Sequence, residues 1–151
     1  MTTKITTVYD AIITKLGTLY PSKTRLPIPE NIQANNALFL VDGYGIRIDN
    51  ISHSTPEFCS ILSEYSVTII LTRELWILDT DVSNDDTVKK NLLEDNLLAV
   101  KMLNDVSKLN LGNNADSFTI RSNSGIKTLG IDKKKFKYIE LNFNFKIREN
   151  Q

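Results

Sequence analysis

Acidic side chains at two-residue spacing give this sequence its closest likeness to a metal-binding loop. Four residues of "DTDVSNDD" occupy the spacing of the first four ligands in a calcium-binding loop: Asp79, Asp81, Ser83 and Asp85. The sixth position of such a loop needs glycine and the twelfth needs glutamate, whereas this sequence has Asn84 and Lys90 there. We therefore expect a solvated turn, in which Asp85 or Asp86 caps a following helix, rather than a metal site.

Residues that perform nucleophilic or acid–base catalysis are scarce. The one histidine, His53, has no serine, cysteine or carboxylate partner at a spacing typical of a catalytic triad. The one cysteine, Cys59, is typical of a reducing compartment, and its neighbours Phe58 and Ser60 favour a buried, unreactive side chain. "GYG" lacks the lysine of a phosphate-binding loop. We predict no enzyme activity, catalytic residue, cofactor or metal; a small enzyme that uses His53 and the acidic stretch is the alternative hypothesis.

The charge balance argues against a dedicated nucleic-acid-binding protein. Lys plus Arg and Asp plus Glu each number 18, so the net charge is zero, whereas nucleic-acid binders usually carry a basic excess. The best local candidate is the stretch "DKKKFK", which holds four lysines: Lys133, Lys134, Lys135 and Lys137. We interpret it as a solvated turn before a strand and keep a nucleic-acid-binding module as an alternative.

The first half of the chain predicts one helix followed by three strands. Apolar residues recur at three- and four-residue steps from Ile5 to Tyr20, and Pro21 ends this helix. The stretch "PSKTRLPIPENIQANNA" is expected as an arm or loop. A strand over residues 37–41 and a second one over Ile46–Ile48 are expected to form a hairpin around "DGYG". "SHSTPE" then reads as a polar break before a long strand in "FCSILSEYSVTIILTREL".

The second half predicts a long helix and three strands. The helix is expected from about Thr87 to Leu109, and a turn at "NSG" is expected to separate strands in "DSFTIRS" and "IKTLGI". In the final stretch "KFKYIELNFNFKI", five apolar residues alternate with polar ones and should pack under the helices: Ile139, Leu141, Phe143, Phe145 and Ile147. The long regular run at the chain end also suits a sheet wall between subunits.

The order α-β-β-β-α-β-β-β predicts an α+β fold in a single domain over residues 1–151. Contiguous runs of strands favour antiparallel pairing, so we expect a largely antiparallel sheet packed by two main helices. No apolar run approaches the roughly 20 residues that span a bilayer, and the N-terminus lacks the apolar core of a secretory signal. We therefore expect a soluble protein that is used where it is made.

The second helix carries apolar residues on two sides. One sector is the expected core face: Val88, Leu92, Leu98, Ala99, Met102, Leu103, Val106 and Leu109. Leu93, Leu97 and Val100 fall on roughly the opposite side, next to Lys90 and Lys101. Such a helix either is covered twice by its own domain or contacts another molecule.

This arrangement resembles the tail terminator (tail completion) proteins of long-tailed bacteriophages. The resemblance covers most of the chain in order and size: an amphipathic helix, a proline-containing arm, an apolar strand, a hairpin, a long strand, an acidic loop and a long helix before the final strands. The most telling motifs are "YGIRI" (Tyr44–Ile48) and "VTIILTRE" (Val67–Glu74), followed by "NLLEDNLLAVKML".

The resemblance implies a structural role in the virion. Proteins of this family form a ring, usually a hexamer, on the last ring of the tail tube; they stop tube polymerisation and present the surface to which the filled head joins. The implied partners are other copies of the chain, the tail tube protein and a head completion or connector protein, with DNA passing through without specific binding. The implied location is the head-proximal end of the tail, after assembly in the host cytoplasm. Another phage neck, connector or tail-tube-like subunit is the alternative within this class.

Two sets of residues are candidates for roles in such a ring. For the subunit interface we predict the apolar residues Leu93, Leu97 and Val100 of the second helix and the arm around Arg25, Ile28 and Ile32. An acidic lining would let a lumen pass DNA without trapping it, and the candidates for that lining are Asp79, Asp81, Asp85 and Asp86.

Overall fold

The computed structural model describes residues 3–27, 42–75, 82–104, 117–131 and 134–150. These ranges form two helices and six strands in the predicted order, and the fold is α+β. The elements are α1 (Lys4–Leu19), β1 (Thr24–Arg25), β2 (Gly43–Glu57), β3 (Ser60–Leu75), α2 (Val82–Asn104), β4 (Ser117–Asn123), β5 (Lys127–Ile131) and β6 (Lys134–Asn150).

The sheet is antiparallel except at one edge. Its strand order is β1-β2-β3-β6-β4, and β5 also pairs with β6. The exception is β1, a two-residue strand in the proline-containing arm, which runs parallel to the start of β2 through Thr24 opposite Gly43 and Arg25 opposite Tyr44. The arm was expected to be a loop, and the strand expected at 37–41 lies outside the described residues.

The helix boundaries follow local signals in the sequence. Thr3 caps α1, because its side chain accepts a hydrogen bond from the Thr6 backbone N–H, and the helix ends just before Pro21, as predicted. The second helix begins at Val82, earlier than the predicted Thr87, so that Asp85 lies in its first turn rather than before it. Its predicted end at Leu109 lies outside the described residues.

The expected hairpin turn at "DGYG" is wrong, because Gly43 and Gly45 lie inside β2 and pair with Thr72 and Ile70. The chain reverses instead at Phe58–Cys59, and the supposed polar break "SHSTPE" is part of β2. The physical reason is the length of β3, which offers backbone hydrogen-bonding groups to β2 along the whole hairpin, whatever the polarity of the β2 side chains.

The expected turn at "NSG" is also wrong. Both β4 and β5 pair with β6, β4 at Leu141–Lys146 and β5 at Lys134–Tyr138. Between them, the Ser124 N–H donates to the Glu140 carbonyl and the Ser124 Oγ accepts from the Glu140 N–H, both at 2.9 Å. The chain at Asn123, Ser124 and Gly125 therefore continues along the same edge of β6 and does not turn back.

The apolar face of β6 packs under the helices as predicted. All five of its alternating apolar residues are buried, and they join apolar residues of β3 and both helices in one core. Tyr65 and Phe145 stack within it at a centroid distance of 5.2 Å. However, β6 is an inner strand, paired with β3 along one side and with β4 and β5 along the other. Its backbone is therefore hydrogen-bonded within the sheet of its own chain. The contact of its outer face with a neighbouring subunit stays a prediction.

Candidate assembly surface

The outer face of α2 exposes a line of large apolar side chains. Val82, Leu93 and Leu97 are 69%, 56% and 51% exposed. Leu93 follows Val82 by about three turns and Leu97 follows Leu93 by about one turn, which places all three on one side of the helix. We call these three residues the α2 stripe. Exposed lysines, Lys90 and Lys101, lie beside it. The exposed Asp86 lies on the same side between Val82 and Leu93, so the continuous apolar part of the stripe is Leu93 and Leu97. Exposed apolar side chains with charged neighbours are typical of a surface that another molecule covers.

Val100 and Leu98 differ from expectation in where they lie on α2. Val100 is only half-exposed and packs against the core, so of the three predicted interface residues on this helix Leu93 and Leu97 are the ones that reach the surface. Leu98, expected in the core, is 41% exposed. It lies on the flank of α2 that faces α1, where it lines a groove between the two helices.

A buried ionic cluster fixes the position of α2 on the sheet. Asp95 is only 5% exposed, and its carboxylate accepts two hydrogen bonds from Arg73 of β3, from Nε at 2.9 Å and from Nη2 at 3.0 Å. Lys23 of the arm lies 3.2 Å from the same carboxylate and donates to the Thr72 carbonyl at 2.8 Å. Two opposite charges and a bidentate geometry compensate the desolvation of Asp95.

Burial and neighbouring charges shift the pKa values of Lys23, Arg73 and Tyr20 in this cluster, and the direction differs between residues. Burial lowers the pKa of Lys23, and the neighbouring Asp95 opposes that shift. The hydrogen bond to Asp95 raises the pKa of Arg73, so the guanidinium stays charged. The Tyr20 hydroxyl donates to the Asp95 carbonyl oxygen, and burial is the main cause that raises the pKa of this phenol.

The cluster was not predicted from the sequence, although one signal for it existed. Asp95 falls in the apolar sector of α2, between Leu92 and Ala99, and an acid in the core face of a helix requires a buried cation as partner. The partners could not be named, because Arg73 and Lys23 lie on other elements far along the chain.

The hairpin of β2 and β3 offers a second exposed region. Beyond Tyr44, the described residues supply no further strand beside the outer edge of β2. Ile48 and Ile51 of this strand are about half exposed, at 48% and 49%, and Phe58 at the hairpin tip is 98% exposed. Cys59 beside it is exposed and has a left-handed backbone, with φ of 63°, so the expectation of a buried cysteine is wrong.

The remaining predicted interface residues belong to the arm. Arg25 is exposed and pairs through its backbone in β1. Ile28 and Ile32 lie outside the described residues.

The acidic candidates are only partly described. Asp79 and Asp81 lie outside the described residues, and Asp86 is exposed on the first turns of α2. Asp85 pairs with Lys89 at 2.7 Å and with Lys137 at 2.9 Å, and hydrogen bonds from these two lysines lower its pKa. Two cations therefore offset its charge, and Lys137 is held beneath the helix rather than in an exposed basic cluster.

His53 has a partner that sequence spacing did not indicate. Its Nδ1 lies 2.7 Å from Ser63 Oγ across the hairpin, and its ring meets Tyr65 edge-on. A histidine that activates serine is normally oriented by a third group, and among the described residues no carboxylate hydrogen-bonds to this ring. The pair is best interpreted as a cross-strand contact of the hairpin.

No protein-family model matches this chain, and no curated protein matches it either. Within the described ranges, no three acidic, histidine or cysteine side chains come together as a possible metal site. Neither of the two described helices is long and apolar enough to cross a membrane. The two candidate functional surfaces are the α2 stripe and the exposed part of the β2–β3 hairpin.

Proposed function

We propose that this protein is a non-enzymatic virion assembly protein of the tail terminator type. It forms a ring on the head-proximal end of a phage tail tube, ends tube polymerisation and provides the surface to which the head joins. The single observation that carries the proposal is the α2 stripe, because Leu93 and Leu97 leave large apolar area exposed on a helix whose opposite side is buried in the core. The sequence resemblance supplies the class of assembly.

Subunit contact is the physical role that suits such a stripe. A buried leucine side chain is worth about 2 kcal/mol relative to an exposed one. When a contact joins two different surfaces of one chain, it forms a closed ring if the rotation between copies closes and an open filament if it does not. A zero net charge removes the long-range repulsion that would oppose assembly.

In the proposed ring, DNA passes through the lumen without specific binding. Asp86 lies one helical turn after Val82, on the side of α2 that carries the stripe, so an acidic lining of the lumen would have to come from Asp79 and Asp81, and that stays a prediction. The tail tube protein and a head completion or connector protein contact opposite faces of the ring.

The test is the mass and shape of the purified protein. We expect native mass spectrometry and negative-stain electron microscopy to show a closed ring with a central hole. Replacing Leu97 with Asp should shift the ring to monomer, since an unpaired carboxylate would have to be buried at every contact. Thr87→Asp is the control: it adds the same charge at an exposed position of α2 that lies about 80° around the helix from Leu97 and farther from Leu93, and it should leave the ring intact.

Each other outcome has a defined meaning. Open-ended filaments would favour a tail-tube-like subunit over a terminator. A ring whose mass is unchanged in Leu97→Asp would remove the α2 stripe from the interface. A protein that stays monomeric both alone and with tail tubes would contradict the proposal.

A further inference from the structure

Phe58 is the most exposed large apolar residue that the structure describes. It occupies the tip of the β2–β3 hairpin and is 98% exposed. The tip is well held: Glu57 pairs with Ser60 across the turn, and Arg148 of β6 donates to Ser60 Oγ at 3.3 Å. An aromatic side chain on a supported, protruding tip loses little conformational entropy on binding, and aromatic residues are frequent anchors of interfaces.

The chain also carries a groove that could receive such a side chain. It lies between α1 and α2 and has a volume of about 220 Å³. Leu19, Leu98 and Met102 supply apolar lining, and Lys15, Thr18 and Lys101 complete it. A cavity of about 150 Å³ is enough to hold benzene, so a phenyl ring fits the groove by size.

The two features include charges of opposite sign, and Arg148 adds a cation behind the tip at Ser60. Glu57 precedes Phe58 at the tip and is exposed, while the groove has Lys15 and Lys101 among its lining residues. Placing the phenyl ring in the groove would bring an acidic residue next to two cations, and such rim charges orient an encounter more than they tighten it.

The two features lie at opposite ends of the molecule. The C-terminal end of α1 is next to the start of β2, where the Tyr20 and Tyr44 rings are 6.0 Å apart. Phe58 lies at the far end of the same strand, about 45 Å away for an extended chain of this length. One copy therefore cannot fill its own groove.

We propose that Phe58 of one copy inserts into the α1–α2 groove of the next copy. The contact is heterologous, head to tail, because the tip of each copy meets a different surface on its neighbour. This inference rests on the proposed function only in needing copies that assemble, and it names a contact that adjoins the α2 stripe, because Lys101 borders both surfaces.

The natural Cys59 makes the contact measurable. It is exposed and adjacent to Phe58, so it would lie near the groove of the neighbouring copy. A Thr18→Cys variant places a second thiol at the groove, and treatment with a short bismaleimide should link Cys59 of one copy to position 18 of the next. Because every copy then carries both thiols, denaturing gels should show a ladder of trimers and larger species.

Three proteins serve as controls, and a fourth tests the role of Phe58. The unsubstituted chain, with Cys59 alone, can give at most dimers, and so can Thr18→Cys combined with Cys59→Ser. Asp10→Cys carries its thiol on the same helix but about two turns away, and it should give little ladder. Phe58→Ser in the Thr18→Cys background should weaken the ladder and raise the dissociation constant of the assembly at least about tenfold, as expected for the loss of a buried aromatic anchor.

The outcomes separate this inference from the proposed function. A closed ring without a ladder above dimer, or with unchanged affinity in Phe58→Ser, would overturn the inference and leave the ring proposal standing. A ladder from open filaments would support the inference and contradict the ring. Monomers without cross-links at every concentration would overturn both.

Discussion

Asp95 joins separate segments of the fold through its carboxylate and its backbone carbonyl. Its carboxylate ties α2 to Arg73 of β3 and to Lys23 of the arm, while its backbone carbonyl accepts the Tyr20 hydroxyl. Three separate segments are thus joined at one buried residue. Removing one partner of such a cluster leaves a buried charge uncompensated, which is more costly than the pair itself is stabilising.

The buried Tyr20 hydroxyl should make the free energy of unfolding depend on pH. Burial raises the pKa of Tyr20 in the folded state, whereas an unfolded tyrosine titrates near pH ~10. Above that pH the unfolded chain has lost a proton that the folded chain keeps, so the unfolded state binds fewer protons and stability falls as pH rises. Below it, the full contribution of the hydroxyl is present.

We therefore expect Tyr20→Phe to be less stable than the unsubstituted chain by about 1 kcal/mol near pH 7, because it loses one buried hydrogen bond. The difference should shrink or reverse near pH ~11. Urea unfolding of both proteins at the two pH values measures it. Burial lowers the pKa of Lys23, which gives the opposite slope below pH ~10.5, but that slope is common to both proteins and largely cancels. Equal alkaline slopes would contradict the prediction.

At the scale of elements, the junction of β1 and β2 depends on a close approach. Leu26 is buried over Gly43, and a Cβ built on Gly43 would lie 2.3 Å from Leu26 Cδ1 and 3.0 Å from the Thr24 carbonyl oxygen. An added methyl group would force the Leu26 side chain to move and the Thr24 carbonyl to shift slightly, so glycine suits this close approach of the parallel strand. The first glycine of "DGYG" is therefore needed for packing, whereas the sequence pattern suggested a turn.

Gly43→Ala should destabilise the fold by about 1–3 kcal/mol, the usual cost of an added methyl group in a tightly packed site. Gly125→Ala is the matched control, because a Cβ there would meet nothing within 4 Å; it should be neutral or slightly stabilising. Thermal and urea unfolding of the two variants checks the difference. Equal stabilities would mean that the β1–β2 junction opens without cost.

At the scale of the whole molecule, the helices cover one face of the sheet, and much of the other face is polar and cross-linked. Asn142 of β6 donates to Asp49 at 3.1 Å and to Thr68 Oγ1 at 3.1 Å, and Arg47 pairs with Asp49 at 2.7 Å. Those side chains already satisfy one another. The exposed apolar area lies instead on α2 and on the hairpin, which is where we expect neighbouring copies to make contact.

Assembly through these surfaces should make thermal stability depend on protein concentration. A partner that binds only the folded chain raises the melting temperature by mass action, so Tm should rise over a roughly hundredfold increase in concentration. Leu97→Asp should remove that dependence while keeping the Tm of the dilute protein, since Leu97 is 51% exposed within one chain. Scanning calorimetry at several concentrations measures both. A concentration-independent Tm for the unsubstituted chain would contradict self-assembly.

The sequence by itself determined the elements whose signals are local. The three- and four-residue steps of α1, the alternation in β6 and the long strand β3 each follow from side-chain periodicity within one segment, and together they were enough for the α+β class and the element order. The exposed Leu93 and Leu97 also follow from periodicity, because the face of a helix is a local property.

The tertiary structure decided what depends on partners far along the chain. β6 is an inner strand because β3, β4 and β5 all reach it, and the hairpin turns at Phe58–Cys59 because β3 can pair with all of β2. Asp95 can be buried only because Arg73 and Lys23 meet it from two other segments. A segment's periodicity specifies which face is apolar; which strand lies beside it, and which charge lies against it, are set by packing the whole chain.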